Sequence, residues 1–258
     1  MDPTIGKLLD FAMVLTRVSA FFLVLPVFGW KSIPVRVKVA LTILIAIFFT
    51  FTSPFAVATN SGRQGPGQQV SIVETILLLS NEAIYGLCMG MITVSVFASV
   101  KFCGRIAERQ MGMAMAQILD PLTGEQAQPL AMLLEMVFII MFLSANGHHL
   151  FLLTISRSYQ AFPAGTTPTL PVMIDGVVKA GSTLLIAGLR LAAPMLAAFL
   201  LLMVVLGVVA RIAPETNILF ISLPLRVGLG LMLAGMFMPF INGFVGEFAD
   251  WMGKLLPL

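Results

Sequence analysis

Charge is what this 258-residue sequence has least of. Asp, Glu, Lys and Arg together make up 10% of it, against about 25% in an ordinary soluble domain. A soluble domain of this length needs more charge than that to cover its surface, so a soluble globular fold is excluded. Low charge also argues against disorder, and no G-X-Y period suggests a collagen-like chain. Cysteine occurs only at positions 88 and 103. Cys88 and Cys103 lack CxxC spacing and lie in or beside apolar segments. That excludes a disulfide-stapled secreted scaffold and leads us to expect two free, buried thiols. Histidine occurs only as the adjacent pair His148 and His149, and helical neighbours point about 100° apart, too divergent to grip one ion well. There is no H-E-x-x-H, G-x-S-x-G, P-loop or convincing dinucleotide fingerprint. We therefore expect no catalytic residue, no metal and no cofactor.

What the sequence has in abundance is apolar residues, at 59%, with a mean hydropathy of +1.00. A polytopic, all-α membrane protein is the class that remains. The net charge of +3 is too small to suggest nucleic-acid binding and fits basic residues in short membrane loops. Long apolar stretches fall near residues 8–29, 38–58, 70–100, 129–156, 177–211 and 216–250. The first follows Met1-Asp2-Pro3 without a basic n-region and is longer than a signal h-region, so a retained helix is expected there. Between the stretches lie a basic segment from Lys31 to Lys38, a Gly- and Gln-rich stretch from Asn60 to Gln69, the turn sequence Asp120 to Glu125, and a loop from Pro163 to Pro171.

The stretches are not clean cylinders for lipid. Asp10, Arg17, Glu74, Glu82, Glu135, Arg190, Arg226 and Glu247 lie inside them, and each is expected to face protein or water. Pro26, Pro54, Pro194, Pro214, Pro224 and Pro239 interrupt them and are expected to kink or break helices. Gly86 with Gly90, Gly181 with Gly188 and Gly228 with Gly235 place small residues on shared helical faces, suited to packing within the chain or between chains. Basic residues do not alternate cleanly between loops, so the positive-inside rule gives no firm topology.

The most unusual run is Gln110-Met111-Gly112-Met113-Ala114-Met115-Ala116-Gln117. Successive methionines point about 200° apart on a helix but share one side of an extended segment. Methionine is long, unbranched and polarizable. The run therefore suits either a deformable seal in a pore or ordinary core filling.

Several motifs carry a resemblance. Arg17-Val18-Ser19-Ala20-Phe21, Pro26-Val27-Phe28-Gly29 and Ile33-Pro34-Val35-Arg36-Val37-Lys38 open the chain. Gly104-Arg105-Ile106-Ala107-Glu108-Arg109-Gln110-Met111-Gly112, running into Leu119-Asp120-Pro121 and Gly124, is the most specific. Together they resemble the FliR/SctT family of export-gate proteins of bacterial flagellar and virulence type III secretion systems. Asn146-Gly147-His148-His149 resembles the flagellar branch. Ala193-Pro194, Gly207-Val208-Val209-Ala210-Arg211, Pro214-Glu215-Thr216-Asn217-Ile218-Leu219 and Leu223-Pro224 also resemble the small two-helix partner FliQ.

The resemblance implies bent helical hairpins, with residues 1–165 as a FliP-like part and 166–258 as a FliQ-like hairpin. It implies a non-enzymatic subunit that joins several FliP and several FliQ around a channel for unfolded flagellar export substrates. FlhB and FlhA are then adjacent, and the assembly sits in the bacterial inner membrane at the flagellar basal body, projecting toward the periplasm. It also implies a pore plug at about Ala107 to Leu122, centred on Gln110, Met111, Gly112, Met113, Ala114, Met115, Ala116 and Gln117. Arg105, Glu108 and Arg109 are expected to hold the plug's base by ion pairs. Arg17, Glu74, Glu82, Glu135, Arg190 and Arg226 are the expected intramembrane or interface charges. Two other readings compete: a stand-alone secondary transporter coupling through Glu82, Glu135 or Arg190, and an intramembrane enzyme built on His148 and His149.

Overall fold

The computed structural model describes residues 3–25, 34–52, 72–113, 128–165, 170–215 and 218–255. Among the described residues it is helical: α1 Pro3–Val24, α2 Val35–Thr52, α3 Ile72–Met111, α4 Pro129–Ser144, α5 His148–Ala161, α6 Leu170–Ile212 and α7 Ile218–Leu255. In its described residues, each of the six apolar stretches is a helix or, in one case, a bent pair. Pro26, Pro54, the Asn60–Gln69 stretch and the Asp120–Glu125 turn lie outside the described residues, as do parts of the Lys31–Lys38 and Pro163–Pro171 segments.

Two helices are long and apolar enough to cross a bilayer, Ile72–Met111 and Met173–Ile212, each with 40 residues. At 1.5 Å per residue such a helix is about 60 Å long, roughly twice a hydrocarbon core of ~30 Å. The pair α4 and α5 makes a further candidate span, bent by 74° at its break. Proline does not cause that break. It falls at Asn146, whose φ of 59° is the left-handed conformation that asparagine tolerates better than most residues. By contrast α6 continues through Pro194, and α7 continues through Pro224 and Pro239. Helix is therefore unbroken at these three positions, whereas Pro214 lies in the turn after α6. A helix-interior proline removes one hydrogen bond, and that loss alone has not ended these helices.

The chain forms two compact units, each drawing on separated parts of the sequence. One unit comprises Met1–Ser95, Asn146–Gly181 and Ala249–Leu258. In it α1 runs beside the first half of α3, with α2 and α5 packed around α1. Gly86 is the closest point. A β-carbon there collides with the Arg17 carbonyl oxygen and lies 2.8 Å from the Ala20 side chain. Phe21 meets Phe151 of α5 edge-on at 6.3 Å, and Phe49 of α2 meets Tyr159 of α5 at 6.0 Å.

The other unit comprises Val96–Ala145 and Ser182–Phe248. Here the second half of α3 packs antiparallel on α4. Phe97 lies 5.3 Å from both Phe138 and Phe142, Lys101 pairs with Glu135 at 2.8 Å, and Gly104 faces Ala131. Cys103 is buried as expected, but Cys88 is half-buried, and both are free thiols.

The close approach at Gly86 makes a direct prediction. Gly86→Ala overpacks backbone against backbone and should cost about 1–3 kcal/mol. Gly181 has open space around it, so Gly181→Ala should leave stability unchanged or slightly raised. Thermal unfolding of the two detergent-solubilised variants checks the contrast.

Candidate functional site

Two polar clusters interrupt the apolar packing, one in each unit. The first is centred on Arg17 of α1, which is 1% exposed, and Glu82 of α3, which is fully buried. Arg17 Nε donates to Glu82 Oε2 at 2.6 Å, and Nη1 donates to the Phe162 carbonyl at 2.9 Å. Ser158 offers its carbonyl and hydroxyl to the same Nη1 at 3.4 Å. The guanidinium lies between two aromatic rings, 5.0 Å from that of Tyr85 and 4.4 Å from that of Tyr159. The other carboxylate oxygen of Glu82 accepts from Gly165 N–H at 2.9 Å. One ion pair thus ties α1 and α3 to the chain reversal that follows α5. Arg17 and Glu82 are two of the expected internal charges, and here they face each other. Their 65-residue separation explains why sequence spacing could not pair them.

The second cluster lies where α3 ends and α4 begins. The methionine-rich run starts inside α3: Gln110 and Met111 are helical, and Gly112 and Met113 form the turn that ends it. Gly112 has a φ of +80°. Its N–H donates to the Arg109 carbonyl at 3.2 Å, and Met113 N–H donates to the Glu108 carbonyl at 3.3 Å. This is a Schellman stop, with glycine at the left-handed position it demands. Met111 is buried and fills the space that Gly230 of α7 leaves, where any β-carbon collides with its side chain. Ala114, Met115, Ala116 and Gln117 lie outside the described residues.

The chain returns at Gln128, beside the point where it left. α4 begins with Pro129, which has no N–H to satisfy, and Gln128 gives no side-chain cap. Glu108 supplies the cap from the other helix. Its Oε1 accepts from Leu130 N–H at 2.6 Å and Ala131 N–H at 3.1 Å. The carboxylate also sits at the positive end of the α4 dipole. Gly104, one turn earlier on the same face, makes the reach possible, since a β-carbon there falls 2.5 Å from Ala131 Cα. Arg105 Nε donates to Gln128 Oε1 at 2.6 Å. So Glu108 and Arg105 fasten the return point of the segment to its departure point. They do so through backbone N–H groups and an amide, where ion pairs were expected. Arg109 is exposed, and its carbonyl serves the Gly112 stop. Pro129 at a first helical position is the sequence signal for this start; nothing local announces that Glu108 caps it.

The remaining expected charges are dispersed. Glu135 pairs with Lys101, both partly exposed. Asp10 is buried and Glu74 half-buried. Arg226 is half-buried, and its Nε is buried without an acceptor among the described residues. The side chain of Glu247 lies outside the described residues. Arg190 is exposed on α6. A lipid-facing arginine deep in a bilayer costs about 2.5–3.5 kcal/mol even on permissive insertion scales. The helix that carries it is poorly covered: 22% of its most apolar window is buried, against 61% for α3. His148 and His149 are exposed at the start of α5, their rings 4.4 Å apart. Among the described residues no group of three His, Cys, Asp or Glu could hold a metal.

Comparison with known proteins fits this helical, charge-poor architecture. The family described as bacterial export proteins, family 1, matches residues 8–251. The chain belongs to this export family. It is 30% identical over 242 residues to the flagellar biosynthetic protein FliR of Bacillus subtilis, covering 90% of this chain and 87% of the relative. It is 29% identical to the protein of the same name from Escherichia coli K12, covering 89% and 84%. It is 27% identical to the Yop proteins translocation protein T of Yersinia pestis, covering 88% and 84%. Family membership makes the chain a membrane component of protein export.

The cap at α4 is testable. Glu108→Ala leaves two helix N–H groups without their acceptor and should cost about 1–3 kcal/mol, with faster amide exchange at Leu130 and Ala131. Glu108→Gln keeps an acceptor oxygen and should lie between the two. Equal exchange in all three proteins contradicts the capping role. In the other cluster, Glu82→Ala strands a buried arginine and should cost about 3–5 kcal/mol, read by thermal unfolding.

Proposed function

We propose that the chain is a non-enzymatic subunit of a flagellar type III protein export gate. With FliP and FliQ it forms a closed channel for unfolded export substrates, and the methionine- and glycine-rich segment after α3 plugs that channel. The observation that carries the plug reading is the clamped base. Residues 114–127 leave from a glycine stop and return to a helix start that Glu108 and Arg105 hold beside it. A segment fastened at both ends on rigid helices can be displaced by a passing polypeptide and return to one place. Met113 at its start, with Ala114, Met115 and Ala116 after it, suits a seal that must refit irregular surfaces.

The same reading divides the chain into a FliP-like part, residues 1–165, and a FliQ-like hairpin, residues 166–258. It places FlhB and FlhA alongside. Helices of about 60 Å support a location in the bacterial inner membrane with part of the assembly standing out toward the periplasm. The motif Asn146-Gly147-His148-His149, which forms the bend, resembles the flagellar branch. Of the three residues named for a stand-alone transporter, Glu82 and Glu135 are engaged by Arg17 and Lys101, and Arg190 is exposed on α6.

The experiment separates sealing from helix stopping. Gly112→Asn keeps a residue that tolerates the left-handed turn, and Ala114→Trp adds bulk beyond it. The plug reading expects Ala114→Trp to alter ion leak or flagellar secretion severalfold while the chain still co-purifies with FliP and FliQ. It expects Gly112→Asn to stay near wild type in stability. Normal ion tightness and secretion in Ala114→Trp removes the plug assignment. Isolation of the chain only as a stable monomer removes the gate itself.

A further inference from the structure

We propose that the face of α6 around Arg190 docks an apolar helix of another chain that carries a carboxylate opposite this arginine. The inference rests on the gate reading only in requiring a multi-chain assembly.

Residues 186, 190, 193, 194, 197, 201, 204 and 208 recur at three- and four-residue spacing, which places them in one stripe along a helix. All of them are exposed. Arg190 is the only charged residue from position 182 to position 208. Wherever the bilayer is drawn along this helix, the guanidinium therefore stands in an uncharged stripe. It has no hydrogen-bond or ion-pair partner among the described residues. Beside it on the same face are Ala193 and Ala197. Small residues leave a shallow notch in which a neighbouring helix backbone can approach closely.

Charge complementarity decides the partner's chemistry. Between Asp175 and Glu215 the chain holds no Asp or Glu, so the rest of α6 offers Arg190 no carboxylate. An apolar helix bearing Asp or Glu both covers the stripe and neutralises Arg190. A phospholipid phosphate offers the same charge without needing the alanine notch, and it is the competing outcome.

The test is photocrosslinking of the full chain in native membranes. Benzoylphenylalanine is placed at Ala197, two turns from Arg190 on the same face, and in a control at Leu231, exposed on α7. Adducts are mapped by mass spectrometry. We expect the Ala197 adduct to fall on an apolar helix of another chain, within one turn of an Asp or Glu. Arg190→Glu should reduce its yield about tenfold or more, because like charges across an interface are strongly disfavoured. Arg190→Lys should retain most of it, and changing the partner's acid to Lys should restore it in Arg190→Glu. An unchanged Leu231 adduct shows that each variant is folded and assembled. The inference is overturned if Ala197 labels only phospholipid, if the labelled helix has no carboxylate nearby, or if charge reversal leaves the yield unchanged. Protein adducts at Leu231 alone sink this inference and leave the gate reading standing. No protein adduct at either position sinks both.

Discussion

Close backbone approach along α3 is the constraint on which the polar anchors depend. Gly86 lets α1 come against α3, and Gly104 lets α4 do so. In each case a carboxylate stands one turn away on the glycine's own face: Glu82 before Gly86, Glu108 after Gly104. Without the glycine the helices stand farther apart, and neither carboxylate reaches its partner. Apolar helices satisfy their own backbone groups and slide past each other at little cost. A buried charge that must find one particular partner fixes their register.

The two anchors act on different parts of the chain. Arg17 and Glu82 hold the turn after α5, where the FliP-like and FliQ-like parts are proposed to meet. Glu108 and Arg105 hold the two feet of the segment proposed as a plug. Each anchor thus fixes the described ends of helices and turns against a neighbouring helix.

Much of this architecture was legible in the sequence. The apolar stretches gave the helices, and intrahelical charges such as Arg17 and Glu82 announced buried partners. Proline marked helix ends unevenly: Pro214 lies in the turn after α6, Pro194 and Pro224 sit inside continuous helices, and the sharp bend came at Asn146, whose signal is weak. The methionine run was legible as unusual but not as divided. Its first two residues complete α3, and Gly112 stops that helix. The partners of Glu108 were not legible because a cap supplied from another helix has no local pattern. What Arg190 faces was not legible, because the helix opposite it is proposed to belong to another chain.

The left-handed turn at Gly112 narrows the evolutionary routes open to this position. Single-base changes in a glycine codon give Ala, Ser, Val, Cys, Arg, Trp, Asp or Glu. Of these, aspartate alone shares asparagine's tolerance of positive φ. Purifying selection is therefore expected here on folding grounds, whatever the residues beyond it do. Invariance of this glycine among relatives would report how a helix is terminated, whereas substitution patterns at Ala114 and Ala116 would bear on the proposed seal.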